Sequence, residues 1–229
     1  MVDRWIGRIL QKIDDLELWD DTIVMVTSDH GMSIGEHNRT GKSNISDSDD
    51  RFWPVYPEIG HVPFLVAGGD VPQAQSLDLI AQSIDILPTA AELAGVSLHP
   101  AHPLDGRSFA STILTGGKKH REFAVTGCFA LPSGESGLAP REACTPFVVT
   151  DEWGYAPIGP DGTAELYDIR SDPLAAKNVL DENLQIAEDL QTLLREHLLL
   201  HGASQGVADM WNSLASGSAD GGVWAVDYP

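Results

Sequence analysis

The run Thr22-Ile-Val-Met-Val-Thr-Ser-Asp-His-Gly31 constrains this chain more than any other stretch. Ile23 to Val26 are apolar and mostly β-branched, the composition of a strand buried on both faces, as in a parallel sheet. The run stops at Thr27-Ser28-Asp29-His30-Gly31, which puts a carboxylate and an imidazole side by side at the predicted strand's C-terminal edge. Ligands of open α/β sheets collect at that edge. An oxygen and a nitrogen donor on a stiff strand end, with Gly31 freeing the turn, suit half of a divalent-metal site. Without its neighbours, the same Asp-His-Gly reads as a polar turn that caps a strand.

The neighbours change that reading. Lys42 stands twelve residues after His30, in Arg39-Thr40-Gly41-Lys42, on a loop rich in Gly, Ser and Asn. A loop lysine near a metal supplies a mobile point charge that holds an anionic oxygen or stabilises a leaving group; alone, it is solvated surface. Strand, Asp29-His30-Gly31, Gly35-Glu36-His37 and Gly41-Lys42 together resemble the sulfatase family of the alkaline-phosphatase-like superfamily. Pro57-Glu58-Ile59-Gly60-His61-Val62-Pro63-Phe64-Leu65-Val66 resembles that family's next core strand. Ser83 to Gly95 is similar to its Asp-x-x-Pro-Thr helix, with Asp85, Pro88 and Thr89 in the motif positions. Leu104-Asp-Gly-Arg-Ser-Phe109 and Glu165-Leu-Tyr-Asp-Ile-Arg-Ser-Asp-Pro173 match its later signatures. The likeness runs in order from about Val2 to His197.

One family feature is missing from this sequence. Sulfatases resemble one another most at an N-terminal Cys/Ser-x-Pro-x-Arg, whose first residue becomes the formylglycine nucleophile, and at an N-terminal Asp pair that completes the metal site. Only 28 residues precede Asp29, too few for the N-terminal region that carries them in the family. Cys144-Thr-Pro-Phe-Val lacks the arginine and lies late in the chain, and Cys128-Phe-Ala-Leu-Pro has the wrong spacing. The chain is therefore read as the C-terminal portion of a sulfatase. Val2, Trp5, Ile6, Ile9, Leu10, Ile13 and Leu16 recur at helical spacing and resemble an interior helix of the family. A start in mid-helix without a cap suggests a fragment; the alternative is a genuine small protein with an N-terminal helix.

The organisation predicted is α/β. Residues 1–115 alternate helix, strand and functional loop, the pattern of a partial alkaline-phosphatase-like parallel sheet with flanking helices. Residues 116–200 are expected to form a small antiparallel sheet with a terminal helix. Its strands are read at Glu122–Thr126, Thr145–Thr150 and Glu165–Asp168, with Asp161-Gly162 as a hairpin signal. Leu190, Leu193, Leu194 and Leu198 give that helix its apolar face. Residues 201–229 read as a Gly/Ala/Asp-rich tail, in which Met210, Trp211 and Trp224 belong to a docking strip or a partly ordered end. The Ser43–Pro57 insert reads as a surface loop at the site's rim. Two cysteines are too few for a disulfide framework. With 34 acidic against 14 basic residues and a net charge of −20, nucleic-acid and anionic-membrane partners are disfavoured. No apolar run reaches membrane-spanning length.

The resemblance implies a sulfuric ester hydrolase acting on a small anionic ester. Asp29 and His30 would ligate one divalent cation, Ca²⁺ in first place with Mn²⁺ or Mg²⁺ as alternatives. Lys42 would contact the sulfate or the ester oxygen. His37 would orient the Asp29/His30 loop or serve only its structure, and His61 would face the substrate or cap a strand. Many family members carry Asn where His30 stands. The Asp-His form also resembles phosphoric ester and phosphonate monoester hydrolases of the superfamily, and a catalytically inactive remnant is a further reading. The missing N-terminal half is a candidate partner.

Overall fold

The computed structural model describes residues 1–42, 53–117, 119–127 and 144–211. In chain order they form α1 (Val2–Asp15), β1 (Val24–Thr27), β2 (Ser33–Ile34), β3 (Thr40–Gly41), β4 (Trp53–Pro54), α2 (Pro57–Gly60), β5 (Phe64–Ala67), α3 (Ile86–Leu93), α4 (Ala110–Thr115), β6 (Phe123–Thr126), β7 (Cys144–Thr145), β8 (Phe147–Thr150), β9 (Trp153–Ala156), β10 (Glu165–Asp168), α5 (Leu184–Leu200) and α6 (Gln205–Met210). They fall into two compact units. The first joins residues 1–29 to 63–121, and the second joins 30–62 to the described chain from Glu122 onward.

In the first unit, α1 has the predicted amphipathic spacing, yet none of its residues is buried. Trp5 is 56% and Ile9 61% exposed. Strands β1 and β5 pair antiparallel, Val24 opposite Ala67 and Thr27 opposite Phe64. This corrects the parallel sheet expected for residues 1–115. It also corrects the expected burial on both faces, since Val24 to Val26 are only half-buried and β5 alternates half-buried with exposed residues. A parallel neighbour needs a crossover that returns the chain to the starting end of the sheet. Here Thr27 lies opposite Phe64, so the chain leaves β1 and re-enters β5 at the same end. Apolar composition reports burial and carries no information on strand direction.

The family-like signatures of this unit have a visible purpose. Asp85 is fully buried and closes a capping box with Gln82 at the start of a 3₁₀ turn that runs into α3. Its carboxylate also accepts from the Arg107 amide (2.9 Å), His120 Nε2 (3.1 Å) and Arg121 Nε (2.7 Å). Thr89 Oγ1 donates to the Asp85 carbonyl and accepts from the Phe109 amide. Asp-x-x-Pro-Thr and Leu-Asp-Gly-Arg-Ser-Phe are thus two sides of one hydrogen-bonded node. At its far end α3 closes at glycine: Gly95 takes a φ of +66°, and the Val96 amide donates to Ala91 O at 2.8 Å.

The second unit is built on a four-stranded antiparallel sheet in the order β10-β9-β8-β6. Val148, Tyr155 and Leu166 cluster with Ala187, Leu190, Leu194 and Leu198 of α5, so the predicted amphipathic helix packs on the sheet. Trp211, beyond α6, is 1% exposed in the same cluster, so the region read as a tail contributes to the core at least that far. Phe147, Ala156 and Tyr167 alternate with those residues along the strands and cluster with Tyr56 and Ala175. The segment Trp53–Pro57 is therefore built into this unit. It pairs through β4 with β7, and Pro54 and Tyr56 are buried, whereas the rest of the expected loop, with its Asp run, lies outside the described residues, as does Cys128.

Candidate functional site

The loop leaving β1 is fixed by local chemistry. The Gly31 amide donates to Ile59 O at 2.8 Å. A Cβ on Gly31 would fall 2.0 Å from the Glu58 carbonyl oxygen, so only glycine allows this approach. Strands β2 and β3 then form a short hairpin, Ser33 opposite Gly41 and Ile34 opposite Thr40. Gly35, His37 and Asn38 turn its tip with positive φ values. The hairpin returns Lys42 to the foot where His30 stands, and Lys42 Nζ lies 2.9 Å from His30 Nε2. Because His30 Nδ1 faces the Gly31 carbonyl at 2.8 Å, Nδ1 carries the proton and donates. Nε2 therefore presents its lone pair, which accepts from the Lys42 ammonium. Asp29 ends the first unit as an exposed residue, with Ser28 Oγ 3.5 Å from Oδ1.

His37 and His61 are placed differently. His61 was read as opening a buried strand, but it closes the helical turn α2 as an exposed C-cap, its amide donating to Pro57 O at 2.8 Å. Pro57 at the first helical position favours that turn, and the strand begins only at Phe64. His37 lies between two acceptors, Glu58 Oε1 and Ala175 O, each at 2.9 Å. Its ring stacks on Tyr56, with centroids 3.7 Å apart and planes 2° from parallel. Burial opposes a charged His37, but the Glu58 and Ala175 hydrogen bonds and the carboxylates of Glu58 and Glu165 outweigh it, so its pKa is raised. Burial likewise opposes an ionised Glu58, yet hydrogen bonds from His37 and Ser33 hold its pKa down.

Several members of this arrangement were not singled out from the sequence as functional. Glu58 accepts from Ser33 Oγ (3.0 Å) as well as from His37, and its Oε2 is buried with no hydrogen-bond partner among the described residues. Tyr56 donates to Glu165 Oε2 at 2.6 Å, and burial raises the pKa of Glu165 despite hydrogen bonds from Tyr56 and Tyr167. A signal existed: Tyr56 and Glu58 flank a proline just ahead of an apolar run, an odd place for a carboxylate.

Comparison with known proteins identifies the fold. The family model described as Sulfatase matches residues 1–96. Arylsulfatase K of Gallus gallus is 28% identical over 201 residues, which cover 84% of this chain and 34% of that protein. The solved structure of a 2-O GAG sulfatase superposes with a TM-score of 0.60 at 28% identity, covering 79% of this chain and 36% of that one. The phosphonate monoester hydrolase of Agrobacterium radiobacter does so with a TM-score of 0.61 at 27% identity, covering 86% and 40%. These matches define an α/β fold of the alkaline-phosphatase-like superfamily. Within it, residues 1–96 match the sulfatase model, and the chain is similar to sulfatases over most of its described length. It spans about a third of the length of the curated relatives it matches.

Sulfatases generally use a divalent cation and a formylglycine. The residues present fit the first of these in part. A carboxylate and an imidazole lone pair suit a divalent ion, and the imidazole suits a first-row metal better than Ca²⁺. Among the described residues, no group of three or more His, Cys, Asp or Glu gathers as a metal site. The formylglycine does not fit, since neither cysteine of this sequence stands in the motif that is converted.

Proposed function

We propose that this chain supplies the cation-binding and leaving-group side of a sulfuric ester hydrolase. The 2.9 Å contact between Lys42 Nζ and His30 Nε2 supports it best, because it brings the one loop lysine of the motif to the predicted ligand. A bound divalent cation, held by Asp29 and His30, would neutralise sulfate oxygens. An ammonium has three donors. Once a cation takes the His30 Nε2 lone pair, all three are released for a sulfate oxygen or for the ester oxygen, on which negative charge grows as the alcohol departs. Before the cation binds, His30 holds the end of an otherwise flexible lysine stem at the site, and His37 acts through the loop rather than on substrate. The chain is strongly acidic overall, so the positive potential an anionic ester needs must come from this local group. A nucleophile-bearing N-terminal half is the partner this reading requires.

The test separates binding from turnover. Without a covalent nucleophile the two-step route is lost, so the polypeptide by itself should not hydrolyse an activated aryl sulfate. In the presence of diamagnetic Ca²⁺, the same ester should still shift the side-chain resonances of Lys42, and a Lys42→Ala variant should lose the accompanying His30 response. Turnover that survives metal addition and vanishes in Cys144→Ala contradicts the proposal, as does a His30 response indifferent to Lys42. His30 favours a second reading, because the Asp-His pairing also resembles phosphoric ester and phosphonate monoester hydrolases. A larger response to an aryl phosphonate than to the sulfate would select it.

A further inference from the structure

We infer that Glu58 is a positioning residue: it holds the β2–β3 hairpin so that Lys42 is delivered to His30. The inference rests on the reading of His30 and Lys42 given above, but its evidence is separate. His30 and Lys42 stand at the two feet of the hairpin, and neither foot is long enough to fix the other. Three attachments do so, and all converge on one short segment. At the first foot, the Gly31 amide donates to the carbonyl of Ile59, the residue after Glu58. On β2, the buried Ser33 hydroxyl donates to Glu58 Oε1. At the tip, His37 Nδ1–H donates to the same oxygen. One carboxylate thus ties strand and tip together, and its backbone lies against the foot.

The other side of His37 explains a signature otherwise without a role. Asp172 Oδ2 accepts from the amides of Ala176 (2.7 Å) and Lys177 (2.8 Å), and Asp168 caps Ser171. This Asp-Ile-Arg-Ser-Asp-Pro turn holds Ala175 fully buried with a φ of +52° and aims its carbonyl at His37 Nε2. With an acceptor on each nitrogen, His37 must donate twice, and Tyr56 stacks on its face. The hairpin tip is therefore clamped between α2 and the chain after β10. Glu58 is the acidic member of the clamp, its side chain 8% exposed.

The test uses the full 229-residue chain, isotope-labelled, and reads the nuclear Overhauser contact between the Lys42 side chain and the His30 ring. Glu58→Ala should abolish it while the amide shifts of residues 147–168 stay in place. Glu58→Gln, whose amide oxygen still accepts from Ser33 and His37, should restore it, a rescue that general loss of stability would not produce. Ser33→Ala removes a single hydroxyl and should reduce the population of the docked loop about fivefold, the effect of one ordinary hydrogen bond. Persistence of the contact in a folded Glu58→Ala protein overturns the inference. If that variant loses the sheet, an unchanged contact in Ser33→Ala overturns it instead. Mn²⁺ broadening of His30 in the wild-type chain is recorded in parallel. A His30 ring untouched by Mn²⁺, whose Lys42 contact nevertheless depends on Glu58, removes the cation reading and leaves this inference standing.

Discussion

Asp85 has no access to solvent, and its carboxylate takes five donors from Gln82, Arg107, His120 and Arg121. Burial opposes its ionisation, but these bonds and the Arg121 charge bring its pKa down to about 2. A carboxyl depressed from about 3.9 contributes stability that is complete above that value and is lost as pH falls toward 2. Asp85→Asn keeps the shape but leaves Arg121, itself 8% exposed, as an unpaired buried charge. The variant should be less stable by about 3–5 kcal/mol in denaturant unfolding. A loss of about 1 kcal/mol or less would mean the pair behaves as a surface one. His37 carries the opposite sign. Its pKa is raised, so its contribution is complete below about 6.5 and is lost as pH rises through the folded value. Glu58, held low, adds stability above about 4.3 and loses it in acid, where protonation of the raised Glu165 acts against the loss. The alkaline limb is therefore the clean one. His37→Gln should flatten it, and an unchanged limb in that variant would assign the slope to another group.

At the scale of elements, Leu194 sits fully buried where α5 meets Val148, Tyr155 and Leu166. Leu194→Ala should lower stability by about 2–5 kcal/mol, read from the urea midpoint; a smaller effect would mean that the α5 face is not the main core contact. This helix was legible because its leucines repeat on one face, and so were β1, β6 and β8 because their apolar runs are unbroken. So was β10, because Asp161-Gly162 signals a hairpin before it. Strand β9 was not, because Gly154 interrupts Trp153–Ala156. The glycine is needed there, since a Cβ would meet Phe147 Cζ at 2.6 Å. The direction of β1 against β5 was hidden for a different reason: pairing depends on how residues 30–62 return, not on the strands' own side chains. Asp29, His30 and Lys42 were legible as a motif. Glu58 was not, because its role comes from convergence of Ser33 and His37, which are 25 and 21 residues away in sequence. His61 misled because the Pro57 turn precedes the strand.

For the molecule as a whole, apolar surface is unevenly distributed. In the first unit, Val2, Trp5, Ile9, Leu16, Leu18 and Leu65 are each at least 41% exposed. Part of that surface forms a groove of about 440 Å³ lined by α1 and the residues after it. The second unit buries its counterparts in two clusters. We therefore expect the first unit's part of residues 1–115, that is 1–29 and 63–115, to associate or to be cut first in limited proteolysis, with fragments within 121–200 surviving longer. Greater resistance of that part in a clean monomer would favour a self-sufficient small domain.

The reading of the site stands on cation binding through Asp29 and His30, with Lys42 competing for the His30 lone pair. Calorimetric titration of the full chain with Mn²⁺ and Ca²⁺ tests this most directly. Two protein ligands leave most of the shell to water, so binding should be weak, with a dissociation constant of about 10⁻³ M or above. Asp29→Ala and His30→Ala should weaken it further. Lys42→Ala should strengthen it, because the variant removes both a competing donor and a repelling charge. A tight site indifferent to Asp29→Ala, or binding that weakens in Lys42→Ala, would contradict the account.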